Sequence, residues 1–353
     1  MKTIALRLLP FLLAIAPEIC SAADETPPPI EYAKNFVKPK AILQVPPRYP
    51  DRAARAGKEG WVVMRYSIET DGSVSEVVIV DSSDYKGVFG DAAVASLKNW
   101  RYQTPMLDGK PARKCNNRQM ITFVLDPPVG GGAIFAKKDA AIRNHIKNRR
   151  FDEAEALIRE AHESKGLNLY EIDRLYLQEG ALNAARGDDV AAIRAFTRAI
   201  SGGGGHLSKE EEVLILRSLF TLQIKEQRFA AALDTFGRLN VLDAPTADDP
   251  IRQAAVKIEQ LRSSTSPFAV EAQIDSNPNA VAQRPFFDYT PLRREIGITD
   301  VSGAVTKLSI ACDTTTATVD FEPGWSWKAP PSWGECSIFV YGTPGTTFQI
   351  VEY

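Results

Sequence analysis

The stretch YPDRAARAGKEG, residues 49–60, decides the fold of the region around it. A helix can begin at Pro50 without loss, because the first N–H groups of a helix have no partner inside it. Between residues 61 and 69, Val62, Met64, Tyr66 and Ile68 alternate onto one face, which predicts a half-buried strand. Asp71-Gly72 tolerates the positive φ values of a tight hairpin turn. A second strand over 74–81 is therefore expected to return antiparallel to the first.

A helix and a third strand complete this unit. The helix is indicated by four apolar residues at helical spacing, Phe89, Ala93, Leu97 and Trp100. After a turn rich in Pro and Gly, Ile121, Phe123 and Leu125 share one parity and mark the third strand. We expect these three side chains to face the core of a small antiparallel sheet.

These residues resemble the C-terminal domain family of TonB proteins. The matching positions are Tyr49-Pro50, Ala53, Gly57, Glu59-Gly60, Val62, Asp71-Gly72, Val74, Phe89, Ala93 and Trp100-Arg101-Tyr102. The resemblance covers about a quarter of the chain and implies a TonB-C-like sheet with helices over residues 40–126. It also implies that the last strand lies at the sheet edge and accepts an extended peptide from an outer-membrane receptor.

Strand addition agrees with the physics of a sheet edge, where unpaired N–H and C=O groups can bind an incoming strand. The outward parity of the third strand and the segment before Tyr49-Pro50 define the predicted partner-binding residues. They are Val45, Pro46, Pro47, Arg48, Asn116, Arg118, Met120, Thr122 and Val124. The same edge could instead be a protected one, or could pair with a second copy.

The first residues predict export. Lys2 and Arg7 precede a short apolar run, and Cys20-Ser21-Ala22 offers small residues for cleavage, so residues 1–22 are interpreted as a signal peptide. The apolar run is shorter than the roughly 20 residues that a membrane-spanning helix needs. We therefore expect a periplasmic protein with no stable membrane span after cleavage, associated with the envelope through its partners. Residues 23–39 form a Pro-containing linker.

A Gly/Pro linker at residues 127–134 leads into a helical region predicted over 135–263. Ala192, Phe196 and Ala199 have the spacing of the second helix of a tetratricopeptide repeat. The same spacing recurs at 154, 158 and 161, and again at 232, 236 and 239. Residues 251–263 are expected to form a capping helix. Degenerate repeats of this kind form a second protein-binding surface, although a plain helical spacer would show the same pattern.

Residues 264–290, rich in Ser, Asn and Pro, are predicted to be a linker, and residues 291–353 a small all-β domain. Cys312 and Cys336 share the parity of the apolar residues of their strands, so a disulfide between them is expected. Cys115 is then unpaired or linked to another molecule. The fold class is α+β multidomain: the sheet with helices, the repeats, and the disulfide-bonded β domain.

The residue types argue against an enzyme, a cofactor or a metal site. Among the three histidines, His145 and His162 are predicted to be solvated on helix faces, without a ligand set at metal spacing. No nucleophile motif occurs, so no catalytic residue is assigned. The 42 basic and 44 acidic side chains nearly cancel, which disfavours nucleic acid as a partner.

Two functions remain after these exclusions. The first is an exported protein-interaction module that grips a partner strand and holds a second protein on its repeats. The second is a ligand-binding protein whose C-terminal β domain binds a glycan or a peptide. For the second, Trp325, Trp327 and Trp333 could form a stacking platform, or could instead fold back onto the core.

Overall fold

The computed structural model describes residues 36–37, 39–83, 87–125, 130–164, 166–201, 206–274 and 286–353. The predicted signal peptide and almost all of the linker that follows it lie outside the described residues. Within the described ranges the chain forms a region of small sheets with helices, then a helical region, then an all-strand region.

The first region contains two helices and eight strands, most of them short. They are β1 (Phe36–Val37), β2 (Ala41–Leu43), α1 (Asp51–Arg55), β3 (Gly60–Ile68), β4 (Val74–Ser82), α2 (Gly90–Lys98), β5 (Arg101–Tyr102), β6 (Met106–Leu107), β7 (Lys110–Pro111) and β8 (Lys114–Phe123). The main sheet has the order β4-β3-β8, with both pairs antiparallel. The predicted hairpin and third strand are therefore present.

One face of this main sheet packs against α2. Val62 and Met64 from β3 meet Phe89 and Leu97, all fully buried, in a shared core. The ring of Phe89 stacks on that of Phe123 with centroids 4.5 Å apart. The apolar parities expected from the sequence thus face this core, except at Leu125, which lies beyond the end of β8 and is 41% exposed.

The other face of the same sheet packs against the helical region. Trp61 and Val63 of β3 and Met120 of β8 share a core with Tyr176 and Phe196 from the helices. Trp61 is fully buried. The sheet is therefore covered on both faces, which leaves its edges as the places where its backbone can meet another chain.

The helical region consists of seven helices within the described residues. They are α3 (Ala133–Lys147), α4 (Phe151–His162), α5 (Leu169–Arg186), α6 (Asp189–Ala199), α7 (Lys209–Lys225), α8 (Phe229–Leu242) and α9 (Pro250–Ser263). Neighbouring helices pack in the pairs α3–α4, α5–α6 and α7–α8, and α9 packs against the last pair. Capping boxes at Asn168–Glu171 and Ser208–Glu211 satisfy free N–H groups at the starts of α5 and α7.

Small residues let α5 and α6 approach closely. A Cβ on Gly180 of α5 would collide with the ring of Phe196 on α6. Ala192 and Ala199, which flank Phe196 at the predicted spacing, are buried, and so are Ala154 and Ala161 on α4. The expected core positions of the helical pattern therefore lie in the cores between helices.

The C-terminal region is a sandwich of two four-stranded antiparallel sheets. Its strands are β9 (Phe268–Gln273), β10 (Phe286–Tyr289), β11 (Glu295–Ser302), β12 (Val305–Cys312), β13 (Thr316–Asp320), β14 (Ser326–Lys328), β15 (Cys336–Gly342) and β16 (Thr347–Glu352). The sheet orders are β10-β15-β12-β13 and β14-β11-β16-β9. A 3-10 turn, Pro331–Trp333, precedes β15. The structure differs here from the predicted linker over 264–290, because β9 and β10 both lie in it.

The two sheets enclose one apolar core that contains the disulfide. Cys312 and Cys336 are directly opposite each other on β12 and β15, and the bond between them is formed, which confirms the predicted pairing. Trp325, Trp327 and Trp333 are partly buried and pack against this core. None of the helices in the described part of the chain is long and apolar enough to cross a bilayer.

Candidate partner-binding edge

The candidate site is the outer edge of β8. Among the described strands, β8 is hydrogen-bonded only to β3, so it ends the β4-β3-β8 sheet on one side. An edge of this kind is a template for another strand, because half of its backbone groups point away from the sheet.

The register of β3 identifies those groups. The carbonyl of Trp61 accepts a hydrogen bond from the N–H of Ser83 at 3.0 Å, so the backbone of Trp61 faces β4. Backbone direction alternates along a strand, and Gly60, Val62 and Met64 must therefore face β8. Their partners on β8 are Phe123, Ile121 and Gln119.

The residues between these partners present their N–H and C=O groups to the outside. They are Arg118, Met120 and Thr122, three of the residues predicted from the sequence. Thr122 is exposed, and its backbone has no partner among the described residues. The carbonyl of Met120 already accepts a bond of 2.7 Å from the side chain of Gln119.

The beginning of β8 is occupied by the C-terminal region. The N–H of Cys115 donates to the carbonyl of Asp313 at 2.6 Å, and Lys114 forms an ion pair with the carboxylate of the same residue. Asp313 follows β12, so the turn that joins β12 to β13 sits where an added strand would otherwise run. Asn116, next to this contact, has a positive φ of 53°. The open part of the edge therefore extends from Arg118 to Val124.

The side chains of the open edge have different surroundings. Met120 packs against the helical region, whereas Thr122 is exposed and Val124 is 40% exposed. Arg118 is exposed and lies directly opposite Arg65 of β3. Met120 has the predicted outward parity but is partly buried, because the helices cover that face of the sheet.

Arg65 of β3, opposite Arg118 on β8, contacts the C-terminal region. Its guanidinium carbon lies 4.3 Å from the centre of the Phe339 ring, within the range of a cation–π contact. Burial lowers the pKa of Arg65, and the charge of Arg118 lowers it further, while Tyr341 and Glu76 oppose this change. Arg65 is therefore held in a half-buried position between two regions of the chain.

The predicted segment before Tyr49-Pro50 reaches the other end of β8. The ring of Tyr49 packs edge-on against Phe123 with centroids 5.7 Å apart. Val45 is half-buried, and its carbonyl accepts a bond of 3.0 Å from the indole N–H of Trp100. Pro46 and Arg48 are exposed. Val45 thus packs against the core of the sheet region, and the exposed residues of this segment come after it.

Cys115 is a free, fully buried cysteine. Burial raises the pKa of its thiol, although a hydrogen bond from Ser67 opposes this rise. A buried, protonated thiol is a poor nucleophile. Cys115 is thus unpaired within this chain, and its complete burial disfavours a link to another molecule.

The histidines are less solvated than expected. His162 is largely buried against the ring of Tyr176, with ring centroids 5.5 Å apart. His206 is nearly buried, and its Nδ1 lies 2.9 Å from the carboxylate of Asp173. The interpretation of His162 as a solvated helix-face residue is wrong, because α4 turns it onto α5. Within the described ranges no group of three His, Cys, Asp or Glu side chains could hold a metal ion.

Sequence reasoning missed Asp313 and Gln119, the two residues that occupy part of the β8 edge. Asp313 is almost 200 residues from Lys114 along the chain, and no local pattern indicates their contact. For Gln119 a signal exists, since a long amide side chain on an edge strand can bond to neighbouring backbone groups.

Comparison with known proteins supports the resemblance of the first region. Residues 45–125 match the family described as Gram-negative bacterial TonB protein C-terminal. A solved structure, titled as the solution NMR structure of the Pseudomonas aeruginosa TonB CTD, is similar at 23% identity and a TM-score of 0.22, over 27% of this chain and 94% of that chain. No curated protein matches the chain. Residues 45–125 of this chain are thus similar to the C-terminal region of Gram-negative bacterial TonB proteins.

Proposed function

We propose that this protein is an exported interaction protein that binds an extended segment of an envelope protein along the outer edge of β8. The proposal rests on one observation above all: the N–H and C=O of Thr122 point away from β3 and meet no described residue. The family match over residues 45–125 supports a protein as the partner. By the resemblance, we infer that this partner is an outer-membrane receptor.

The open edge limits how much of the partner can pair. Three residues, Arg118, Met120 and Thr122, present outward backbone groups, and the Met120 carbonyl is shared with Gln119. Upstream, Asp313 occupies the edge at Cys115. We infer that the added strand pairs over a short stretch and that contacts with exposed side chains such as Val124 add to its affinity.

We further propose that the helical region is built of tetratricopeptide-like repeats and holds a second protein. The Ala-Phe-Ala spacing is expected where small residues let two helices approach closely and an aromatic ring fills the gap between them. Gly180 and Phe196 pack in this way. Between α8 and α9 lies an open, mainly apolar groove of about 560 Å³, lined by Leu233, Phe236 and Val256 among others. Val256 is 52% exposed, so the groove is accessible to an apolar side chain.

The remaining parts of the proposal concern location and chemistry. Residues 1–22 direct export to the periplasm as a signal peptide, and residues 23–39 act as a linker. We assign the protein no catalytic residue and no cofactor, since the β8 edge consists of backbone groups and the groove between α8 and α9 is mainly apolar.

The test uses a photo-crosslinking amino acid at Val124 in the full chain, expressed in its envelope. The expected result is capture of an envelope protein. Thr122→Pro should abolish capture without lowering the melting temperature, because it removes an outward N–H and blocks the added strand. Thr122→Ala keeps the backbone and should retain capture.

Ile121→Pro is the matched control on the neighbouring residue. The N–H of Ile121 faces β3, so its loss should unfold this region. Capture that survives in Thr122→Pro with an unchanged melting temperature would show that β8 is not the binding edge. A second crosslinker at Val256 tests the groove of the helical region separately, and its yield should not depend on Thr122.

A further inference from the structure

A second candidate site lies on the C-terminal sandwich, on the face of the β10-β15-β12-β13 sheet that points away from the core. It is an open cleft of about 620 Å³ whose floor is formed by β12 and its two neighbours. Along β12, Lys307 and Ser309 line the cleft, whereas Leu308 and Ile310, which alternate with them, are buried in the core. The cleft is therefore built from the outward residues of the sheet.

The strand register arranges these residues in two rows across the sheet. In the first row Lys307 lies directly between Tyr341 and Asp320, and in the second Ser309 lies between Phe339 and Thr318. Each row thus runs from an aromatic ring through a polar side chain on the central strand to a second polar side chain.

The polar groups on the floor are available. Among the described residues, Lys307 and Asp320 form no ion pair within 4.0 Å although they face each other. Nor do the hydroxyls of Ser309 and Thr318 form a hydrogen bond within the described part of the chain. The cleft therefore offers an ammonium group, a carboxylate and two hydroxyls that both donate and accept.

A cluster of aromatic rings lies beside one end of the cleft, and Tyr341 is the member of it that lines the cleft. Phe286 packs against Phe339 and Tyr341, with ring centroids 5.8 Å and 5.9 Å apart. Arg65 lies over Phe339, and its Nη1 is buried with no hydrogen-bond partner among the described residues. Arg65 therefore covers the ring of Phe339, and the aromatic surface at this end of the cleft is that of Tyr341.

We propose that this cleft binds an oligosaccharide. Sugar hydroxyls donate and accept hydrogen bonds, as the mixed groups on the floor require, and the C–H face of a sugar ring packs well on an aromatic side chain. Because Lys307 and Asp320 carry opposite charges, the cleft does not favour a ligand with a net charge. Strand addition of a peptide would not use the floor of the cleft, because β12 is hydrogen-bonded on both sides and, of the strands that line the cleft, only β13, at the edge of the sheet, could pair with an added strand.

This site is separate from the one proposed for protein binding. The cleft residues lie on β12, β13 and β15, and the β8 edge contributes none of them. The tryptophans that the sequence suggested as a stacking platform pack against the core instead. The aromatic surface of the cleft is supplied by Tyr341, at a different place in the same sandwich.

The experiment measures binding of the labelled full chain to an array of neutral and acidic oligosaccharides, followed by titration calorimetry with the best-bound one. The double variant Thr318→Ala/Asp320→Ala removes two floor groups from exposed positions. It should weaken binding more than tenfold, since a neutral and a charged hydrogen bond are lost. Thr347→Ala, on an exposed position of the other sheet, should bind as the parent does.

Lys307→Gln provides a second, independent weakening if the double variant melts early. Thr122→Pro should bind the oligosaccharide normally, which separates this proposal from that of the β8 edge. The proposal is overturned if the parent protein binds no saccharide on the array. It is equally overturned if the double variant and Lys307→Gln bind as tightly as Thr347→Ala.

Discussion

Asp81 on β4 and Arg198 on α6 form a two-bond ion pair, with Nε–Oδ2 at 3.0 Å and Nη2–Oδ1 at 2.8 Å. Arg198 is buried, and its guanidinium carbon also lies 5.6 Å from the centre of the Tyr176 ring. This pair lies beside the core that Trp61 shares with the helices. The sheet region and the helical region are therefore joined by both apolar and charged contacts.

Removal of this pair should destabilise the protein. Arg198→Met keeps an unbranched apolar side chain but leaves the Asp81 carboxylate without its partner, and we expect a loss of about 1–3 kcal/mol in the free energy of unfolding. Urea unfolding measures it. Arg186→Met is the control, because Arg186 pairs with Asp152 and Glu155 on an exposed surface, where ion pairs contribute at most about 1 kcal/mol. Equal losses in the two variants would contradict a special role for Arg198.

Two glycines in helices should respond to alanine in opposite directions. Gly180→Ala forces a methyl group into the Phe196 ring, and overpacking of this kind costs about 1–3 kcal/mol. Gly237→Ala in α8 meets no atom within 4 Å and should stabilise the protein by roughly 0.5–1 kcal/mol. Thermal unfolding of both variants is the measurement. A neutral Gly180→Ala would mean that α5 and α6 are not as close as the structure places them.

The disulfide should account for much of the stability of the C-terminal sandwich. It joins residues separated by 24 positions, which corresponds to about 3 kcal/mol in the chain-entropy model. Cys312→Ala/Cys336→Ala should therefore lower the free energy of unfolding of this region by that amount. Hydrogen exchange of β12 and β15 localises the effect, and β3 serves as the internal reference. Equal loss of protection in β3 would argue that the two regions unfold together.

The pair Asp173–His206 predicts a pH dependence. Burial raises the pKa of Asp173 from 3.8 to about 7, against the opposing hydrogen bond with His206. The folded state then holds this proton more tightly than the unfolded state, so the stability contribution is present at low pH. It is lost as the pH rises from about 4 to 7.

Asp173→Asn should remove this dependence, because asparagine keeps an acceptor for His206 but does not ionise. We expect the melting temperature of the variant, relative to the parent, to rise steadily between pH 4 and pH 7. Asp152→Asn, at an exposed side chain, should instead follow the parent. Parallel curves for the parent and Asp173→Asn would refute the buried proton.

Local sequence patterns predicted those features of the fold that depend on residues close in the sequence or on neighbouring strands. The alternation around Val62, the turn at Asp71-Gly72 and the parity of Cys312 and Cys336 each concern neighbouring strands, and the structure contains all three features. The linker prediction differed at β9. In that strand Val270 and Ala272 do alternate with exposed residues. The strand is only six residues long, and the Ser- and Asn-rich segments on both sides of it are typical of a linker, so its alternation was not recognised.

The environment of the candidate site depends on contacts between regions that are distant in the sequence. The periodicity of apolar residues does not indicate such contacts. Met120 has the parity of an outward residue and is covered only because α5 and α6 pack against that face. His206 meets Asp173 across a long connection, and Asp313 reaches Cys115 from another sheet. The alternation of residues along β8 predicted which side chains face the core. It did not predict how much of the β8 edge is left open to a partner.

The place of β16 within its sheet sets an order of events during folding. β16 lies between β11 and β9 and pairs with both, so this sheet stays in two pieces until residues 347–352 have joined it. The sheet region and the helices precede it in the chain and can fold as they emerge. Long-range strand pairs form slowly, and during that interval the apolar faces of β9 and β11 are open to other chains. The sandwich is thus the part of the protein with the greatest need of a chaperone.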